Sequence, residues 1–324
     1  MGVRLAACLL AGGTGTRLYP ASTPDRPKQF CTLDGERTLL RRTADRVAFV
    51  GDVFAVAPDR YAERVREEVP EAEVLVEPAS KDTGPALVYA AHRVREAVGD
   101  CVLVCLPSDH RVSGNLAGTL RRAAETAADT GGLVTVGVEP SRPATGYGYV
   151  EPATADPVAP VAAFREKPDA ETARELVDTC YWNAGIFAWT PDALLREAAD
   201  SPLAPLVDAL GDGDPERGFR EVEAVSVDRA VLERTDDAYV VPADFEWDDV
   251  GSWDAFRRLL EGENAVLEGT PHVAVDASDN VIASDGAHVS VCGVDDLVVA
   301  AFDDRVLVVP REEAQRVREV VDEL

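Results

Sequence analysis

The segment Leu9-Leu10-Ala11-Gly12-Gly13-Thr14-Gly15-Thr16-Arg17-Leu18, followed shortly by Arg26-Pro27-Lys28-Gln29-Phe30, carries the clearest chemistry in the chain. Three glycines in four positions behind an apolar run form a loop whose amides can wrap a polyphosphate without side-chain obstruction. Arg17 and Lys28 add fixed cations to it. The string is not a Walker A loop, which needs G-K-[ST], and its spacing fails the dinucleotide pattern G-x-G-x-x-G. Two aspartates have unusual surroundings. Asp109 follows the apolar run Cys101–Leu106, and Asp249 sits in a turn rich in Trp and Gly, where a merely solvated carboxylate would not need such neighbours. His110 adjoins the first and is read as a structural hydrogen-bonder.

The composition sets the background. The 324 residues carry 59 Asp+Glu against 32 Lys+Arg, a net charge of −27, with 46% hydrophobic residues. That is a globular chain with ample core, and its acidity excludes nucleic-acid and anionic-membrane partners, which require a basic face. A small phosphorylated ligand needs only a local positive pocket. Among the basic residues only Lys28, Lys81 and Lys167 are lysines. An acid-rich, lysine-poor surface is expected of a halophilic protein kept soluble in concentrated salt, the alternative being an ordinary acidic protein from a GC-rich genome. Three lysines retained in an arginine-dominated chain point to specific contacts for a compact ammonium. The six cysteines show no C-x-x-C spacing and read as reduced, buried thiols of a cytoplasmic protein. No stretch approaches the ~20 apolar residues of a membrane helix. The apolar start runs straight into the glycines and reads as a first buried strand, not a signal peptide.

These residues must be held by elements that the pattern also announces. Strand-like runs at Val3–Leu10, Val53–Ala57, Val74–Glu77, Cys101–Leu106 and Leu133–Val138 alternate with helix-like stretches at Leu39–Val47, Tyr61–Val69, Pro85–Val98 and Leu116–Asp129. Such alternation predicts an α/β fold with a parallel sheet covered on both faces and ligands at the carboxyl ends of its strands. The middle, from Thr145 to Trp253, holds all four tryptophans and reads as a substrate-binding insertion on the sheet. Brief β runs at Val273–Asp276, Val281–Ser284, Val289–Cys292, Leu297–Phe302 and Val306–Val309 precede a closing helix, Glu312–Glu323. The change of texture places a boundary between domains 1–261 and 262–324.

The order G-G-T-G-T-R-L-x-P, P-K-Q-F resembles the signature of the sugar-1-phosphate nucleotidyltransferases, and the Gln-Phe ending is similar to their mannose-1-phosphate guanylyltransferase branch. Matching motifs follow in order: Glu77-Pro78-x-x-Lys81-Asp82-Thr83, Pro107-Ser108-Asp109-His110, Gly146-Tyr147-Gly148-Tyr149, Phe164-x-Glu166-Lys167-Pro168, Trp182-Asn183-Ala184-Gly185 and Trp247-x-Asp249-Val250-Gly251. The resemblance implies a Rossmann-like domain with a mixed, mainly parallel sheet and a small C-terminal β domain that is left-handed β-helix-like and tends to mediate dimerisation. It implies attack by the phosphate oxygen of a sugar 1-phosphate on the α-phosphorus of a nucleoside triphosphate, with GTP and mannose 1-phosphate as substrates. Such a transfer needs charge neutralisation and in-line positioning more than covalent help.

By the same resemblance Arg17 and Lys28 are catalytic. Leu10, Ala11, Gly12, Gly13, Thr14, Gly15, Thr16, Glu77, Thr83 and Ser108 hold the nucleotide. Gly146, Tyr147, Glu166, Lys167 and Asn183 hold the sugar phosphate, and Asp109 with Asp249 binds Mg²⁺. Tyr147 stands equally for packing and for a sugar platform. Glu77 either accepts from the paired donors of guanine or caps the helix after it. Asp82 departs from the family's asparagine: pointing inward it must be protonated or paired, pointing outward it is acidic surface. The chain as given ends at Leu324, so the isomerase domain of some longer relatives is not expected. A different sugar or base, or a non-catalytic nucleotide-sugar-binding regulator, is the competing reading; retention of Arg17, Lys28, Asp109 and Asp249 counts against the regulator.

Overall fold

A computed structural model describes residues 4–13, 15–33 and 35–324. Val3 and Thr14 lie outside the described residues. The chain forms two compact units that are discontinuous in sequence. One comprises the residues up to Gly12, Thr43–Ser108 and Val112–Trp247; the other comprises Gly13–Arg42, Asp109–Arg111 and Asp248–Leu324.

In chain order the elements are β1 (Leu5–Leu10), α1 (Leu39–Arg46), β2 (Asp52–Pro58), α2 (Asp59–Glu68), β3 (Glu73–Glu77), α3 (Thr83–Val98), β4 (Val102–Pro107), β5 (Arg111–Gly114), α4 (Leu116–Thr130) and β6 (Leu133–Val138). There follow β7 (Tyr149–Pro152), β8 (Ala159–Arg165), α5 (Ala170–Leu176), β9 (Tyr181–Trp189), α6 (Pro191–Ala199), α7 (Ala204–Gly211), α8 (Pro215–Glu221), β10 (Ala238–Pro242) and β11 (Phe245–Asp248). The last are α9 (Asp254–Leu259), β12 (Ala265–Val266), β13 (His272–Val275), β14 (Val281–Ser284), β15 (Val289–Cys292), β16 (Leu297–Phe302), β17 (Arg305–Pro310) and α10 (Val317–Asp322).

The first unit is built on a nine-stranded sheet in the order β3-β2-β1-β4-β9-β6-β10-β8-β7. β1 to β4 are mutually parallel, β10 is parallel to β6, and β9 and β8 run against their neighbours. The sheet is therefore mixed, with most strands running one way. The apolar runs form strands because they are buried on both faces: Ala6–Leu9 and Val102–Leu106 are all buried. Helices α3 and α4 are fixed by their ends. Asp82 accepts from the Thr83 N–H and Asn115 from the Gly118 N–H, while Gly99 and Gly131 close the helices at positive φ. Leu87, Leu103, Phe187 and Trp189 centre the core, the last two stacked 5.1 Å apart.

The second unit carries the C-terminal β runs. β12, β14 and β16 are parallel neighbours, β13 pairs in parallel with β15, and β17 closes antiparallel on β16. Ala265 pairs with Val281 and Val281 with Val298, so the chain coils with short strands stacked turn on turn. Asn280 is fully buried and joins the turns: its side chain donates to Asn264 Oδ1 and Val294 O and accepts from the Leu297 N–H. Leu18, Trp253, Phe256, Val281 and Val298 share this unit's core.

Two expectations are corrected here. The closing helix is not one element, because Arg311–Arg316 is a 3₁₀ turn before the short α10. Cys292 is exposed, since it ends an edge strand of the coil, while the other five thiols are buried and all six are free. Burial pushes Cys101 up to about 11 and holds Cys105 well above the ordinary thiol range, which leaves both unreactive.

Candidate active site

Parallel strands put the ends of β1, β2, β3 and β4 on one edge: Leu10 lies opposite Pro107, and Pro58 opposite Glu77. Chain leaving β1 therefore passes the end of β3. A Cβ on Gly12 would stand 3.4 Å from Glu77 Oε1, in ordinary contact, so Gly12 lies beside that carboxyl. Ala11 is buried and donates its N–H to Val56 O at 2.9 Å. Ser108 is buried and its hydroxyl donates to Leu10 O at 2.6 Å, which ties the loop after β4 to the end of β1. Glu77 is 6% exposed and accepts from Ser80 Oγ at 3.2 Å. Burial pushes its carboxyl up to about 7, against the Ser80 hydrogen bond and the Arg60 charge. Since Asp82 caps α3, the capping role is taken and Glu77 does not fill it. Asp82 itself is exposed at φ 70, so it belongs to the acidic surface. Thr83 Oγ1 accepts from the Val227 N–H at 3.1 Å. Lys81 donates to Val222 O at 2.7 Å, which is a structural use of that lysine.

The second unit brings together residues that are far apart in sequence. Lys28 is 4% exposed, and its Nζ lies 3.2 Å from Asp109 Oδ2 and donates also to Asp249 O. Gly15 underlies this arrangement: it sits at φ +55, and a Cβ on it would fall 2.5 Å from Lys28 Cβ. Arg17 projects, exposed, from the 3₁₀ turn Thr16–Leu18 that follows. Burial alone would raise Asp109, but the Lys28 charge, then His110, outweigh it and hold the carboxyl below its ordinary range. His110, 3.7 Å from Asp109 Oδ1, is lowered by burial in spite of the aspartates around it. Asp249 Oδ1 accepts from the Gly251 N–H at 3.2 Å. Asp248, which sequence reasoning passed over, is buried and accepts from the Val250 N–H at 2.7 Å, fixing the turn. Among the described residues no group of three or more His, Cys, Asp or Glu forms a metal cage. The donors present are hard carboxylate oxygens, one of them held ionised. They suit a cation such as Mg²⁺, which takes one or two carboxylates and completes its shell with phosphates and water.

The remaining expected residues lie in the first unit. Tyr149 of β7 pairs with both Arg165 and Trp182, so the end of β8 and the start of β9 flank the same point of β7. Glu166 and Asn183 follow those positions. The Glu166 side chain is 8% exposed and paired with Lys167 Nζ at 2.7 Å. A Cβ on Gly148 would strike Glu166 Oε2 at 2.6 Å, so that glycine makes room for the carboxylate. Asn183 Nδ2 donates to Asp228 Oδ1 at 2.8 Å. Asp228 was missed in the sequence, where it is one of 59 acids and stands between polar Ser226 and Arg229 with no motif around it. Burial, then the Glu166 charge, push Asp228 up to about 7. Tyr147 meets Trp182 and Trp247 edge-on at 5.0 and 5.1 Å, so it packs in an aromatic cluster. Gly146 is exposed in the loop before it.

Comparison with known proteins agrees along the whole chain. A family model described as Nucleotidyl transferase matches residues 6–265, and one described as MannoseP isomerase/GMP-like beta-helix domain matches residues 270–324. The mannose-1-phosphate guanylyltransferase of Sinorhizobium fredii is 35% identical over 349 residues, covering 99% of this chain and 68% of that protein. The xanthan biosynthesis protein XanB of Xanthomonas campestris is 34% identical, covering 98% of this chain and 72% of its own. A crystal structure described as mannose-1-phosphate geranyltransferase from Thermus thermophilus has a TM-score of 0.93 at 33% identity and 99% coverage of both chains.

Proposed function

Because the chain belongs to the nucleotidyl transferase family, in its mannose-1-phosphate guanylyltransferase branch, we infer that it transfers the guanylyl group of GTP to mannose 1-phosphate. The phosphate oxygen of the sugar forms a bond to the α-phosphorus, the bond to the bridging oxygen breaks, and pyrophosphate leaves with GDP-mannose as product. The observation that carries this reading is the buried Lys28 held between Asp109 and Asp249. A cation fixed by two acidic segments has its strongest use beside phosphates, where it meets charge that builds as pyrophosphate departs.

In this reading the backbone of Gly12, Gly13, Gly15 and Thr16, with Arg17, holds the triphosphate, and Glu77 reads the base. Leu10, Ala11, Thr83 and Ser108 shape that end. Glu166, Lys167 and Asn183 take the sugar phosphate, with Tyr147 and Gly146 at its border. Asp109 and Asp249 would hold Mg²⁺, which when bound neutralises charge on the phosphates. Residues 1–261 form the catalytic part and 262–324 the β domain. The exposed Val306 and Val308 of β17 support a homodimer formed through that domain, which light scattering reads directly. Free thiols, and the lack of any described helix long and apolar enough to cross a membrane, support a cytoplasmic setting.

The test is a matrix of nucleoside triphosphates against sugar 1-phosphates, scored by pyrophosphate release. GTP with mannose 1-phosphate should give the highest kcat/KM; no turnover with any pair would leave only a binding protein. Asp109→Asn and Asp249→Asn should each lose turnover at limiting Mg²⁺ with the thermal transition preserved. Wild-type activity in either variant would remove that residue from the metal site.

A further inference from the structure

The sugar end contains a half-buried carboxyl to which guanylyl transfer itself gives no task. Asp228 opens the π-helical turn Asp228–Leu232 and accepts from Asn183 Nδ2 at 2.8 Å. The Asn183 amide is otherwise committed, because its Oδ1 accepts from Thr135 Oγ1 at 2.8 Å and from the Gly185 N–H at 3.0 Å. A backbone N–H only donates, so the atom it meets is the oxygen and the atom facing Asp228 is the nitrogen. Both lone pairs of Oδ1 and one N–H are thereby used. Asn183 retains a single N–H for a ligand. Glu166, whose N–H is held by Glu233 Oε1 at 3.0 Å and whose side chain meets Lys167, offers carboxylate oxygens.

We propose that Asp228 is the positioning residue of the sugar subsite, locking Asn183 as a donor beside the acceptor Glu166 so that the pair reads adjacent hydroxyls of a pyranose phosphate. The proposal rests on the guanylyl-transfer reading for the identity of the ligand. It has an electrostatic consequence. Desolvation, then the Glu166 charge, outweigh the Asn183 hydrogen bond and the Lys167 charge, which is why Asp228 keeps its proton up to about 7. A sugar phosphate brings further negative charge, so it binds best while that proton is present.

The experiment measures KM for mannose 1-phosphate and for GTP across neutral pH in the wild type, Asp228→Asn and Asp228→Ala. Asparagine keeps an oxygen for the Asn183 N–H and loses the titration; alanine loses both. Wild-type KM for the sugar phosphate should rise as pH passes about 7, where Asp228 ionises, while Asp228→Asn stays flat relative to it. The ligand's own ionisation is common to all three proteins and cancels in the comparison. Asp228→Ala should raise that KM roughly tenfold at every pH, with KM for GTP unmoved. An Asp228→Asn profile that drifts as the wild type does, or an Asp228→Ala KM equal to wild type, overturns the proposal.

Thermal stability of the ligand-free proteins gives an independent reading. The folded value for Asp228 is raised from 3.8 to about 7, so its contribution is full below the unfolded value and is lost as pH rises through about 7. Asp228→Asn should therefore gain Tm relative to wild type across that window; a constant difference also overturns the proposal. If the wild type uses a different sugar 1-phosphate, the functional reading fails, and the same KM series with that sugar decides the role of Asp228. If it uses none, both fail.

Discussion

Guanine presents two donors side by side, N1–H and the exocyclic amine, and an ionised carboxylate can accept both, one on each oxygen. Glu77, buried next to Gly12 at the end of β3, is the residue we assign to that task. A charge-assisted pair would be worth roughly 1.5–3 kcal/mol, or about tenfold to hundredfold in discrimination. Glu77→Gln should therefore lose the preference for GTP over ITP, which lacks the amine; an unchanged ratio in kcat/KM returns Glu77 to the scaffold. Because its carboxyl is raised to about 7, the wild-type preference should also fade as pH drops through that value. Stability moves the other way. Glu77 binds its proton more tightly folded than unfolded, so its contribution is lost as pH rises from 4.5 to about 7, and Glu77→Gln should be more stable above that window by up to about 3 kcal/mol. Glu77, Lys28 and Asp109 were legible because each sits in a motif whose spacing is unusual. Asp228 was not: among 59 acids nothing in its own position marks burial, and its partner Asn183 lies 45 residues away.

At the scale of elements, the backbone at Gly15 tolerates no side chain. Gly15 combines a left-handed φ of +55 with a 2.5 Å approach of any Cβ to Lys28 Cβ. Gly15→Ala carries roughly 1–2 kcal/mol of backbone strain and must also push Lys28 from its place between Asp109 and Asp249. Displacing a charge by about 1 Å can reduce turnover roughly a hundredfold, so kcat should fall by that order while circular dichroism stays native. Wild-type kcat in Gly15→Ala would mean that Lys28 is not needed where the structure puts it. Elements of this first half were readable since β1, β4 and β6 are continuous apolar runs and α3 and α4 have polar caps. Leu133–Val138, Val281–Ser284, Val289–Cys292 and Leu297–Phe302 fall on the residues the pattern marks. The pairing was less readable. β9 enters antiparallel between β4 and β6, and β10 pairs with β6 from a hundred residues on; neither leaves a trace in local periodicity. The boundary of the 3₁₀ turn Arg311–Arg316 with α10 escaped for a similar reason, because both geometries bury the same side of the segment.

For the molecule as a whole the dominant number is the net charge of −27. Its distribution argues for life in concentrated salt, which is our proposal for this chain. Of the three lysines, Lys28 is buried among acids and Lys81 is tied to Val222 O, so neither serves as ordinary surface charge. Apart from the exposed Lys167, surface cations are arginines, and many are paired: Arg316 contacts Glu313 at 3.3 Å and Glu319 at 2.9 Å, and Arg311 contacts Asp296 at 2.6 Å. Salt acts on both sides of this balance. It weakens exposed pairs, each worth about 0–1 kcal/mol, and it relieves repulsion among the excess acids. The excess is distributed over the whole surface, while each pair is local and already well screened, so relief should prevail. At ~1 M salt the Debye length is about 3 Å, shorter than most distances between surface carboxylates, and the repulsion is then nearly gone. Tm and kcat/KM should both rise with KCl or NaCl toward the molar range, steeply at first and then levelling as screening completes. KCl and NaCl should act alike at equal ionic strength, because screening depends on charge and concentration. A Tm that is flat or falling with either salt would show that the local arginine pairs outweigh the distributed repulsion, and the high-salt reading would be wrong.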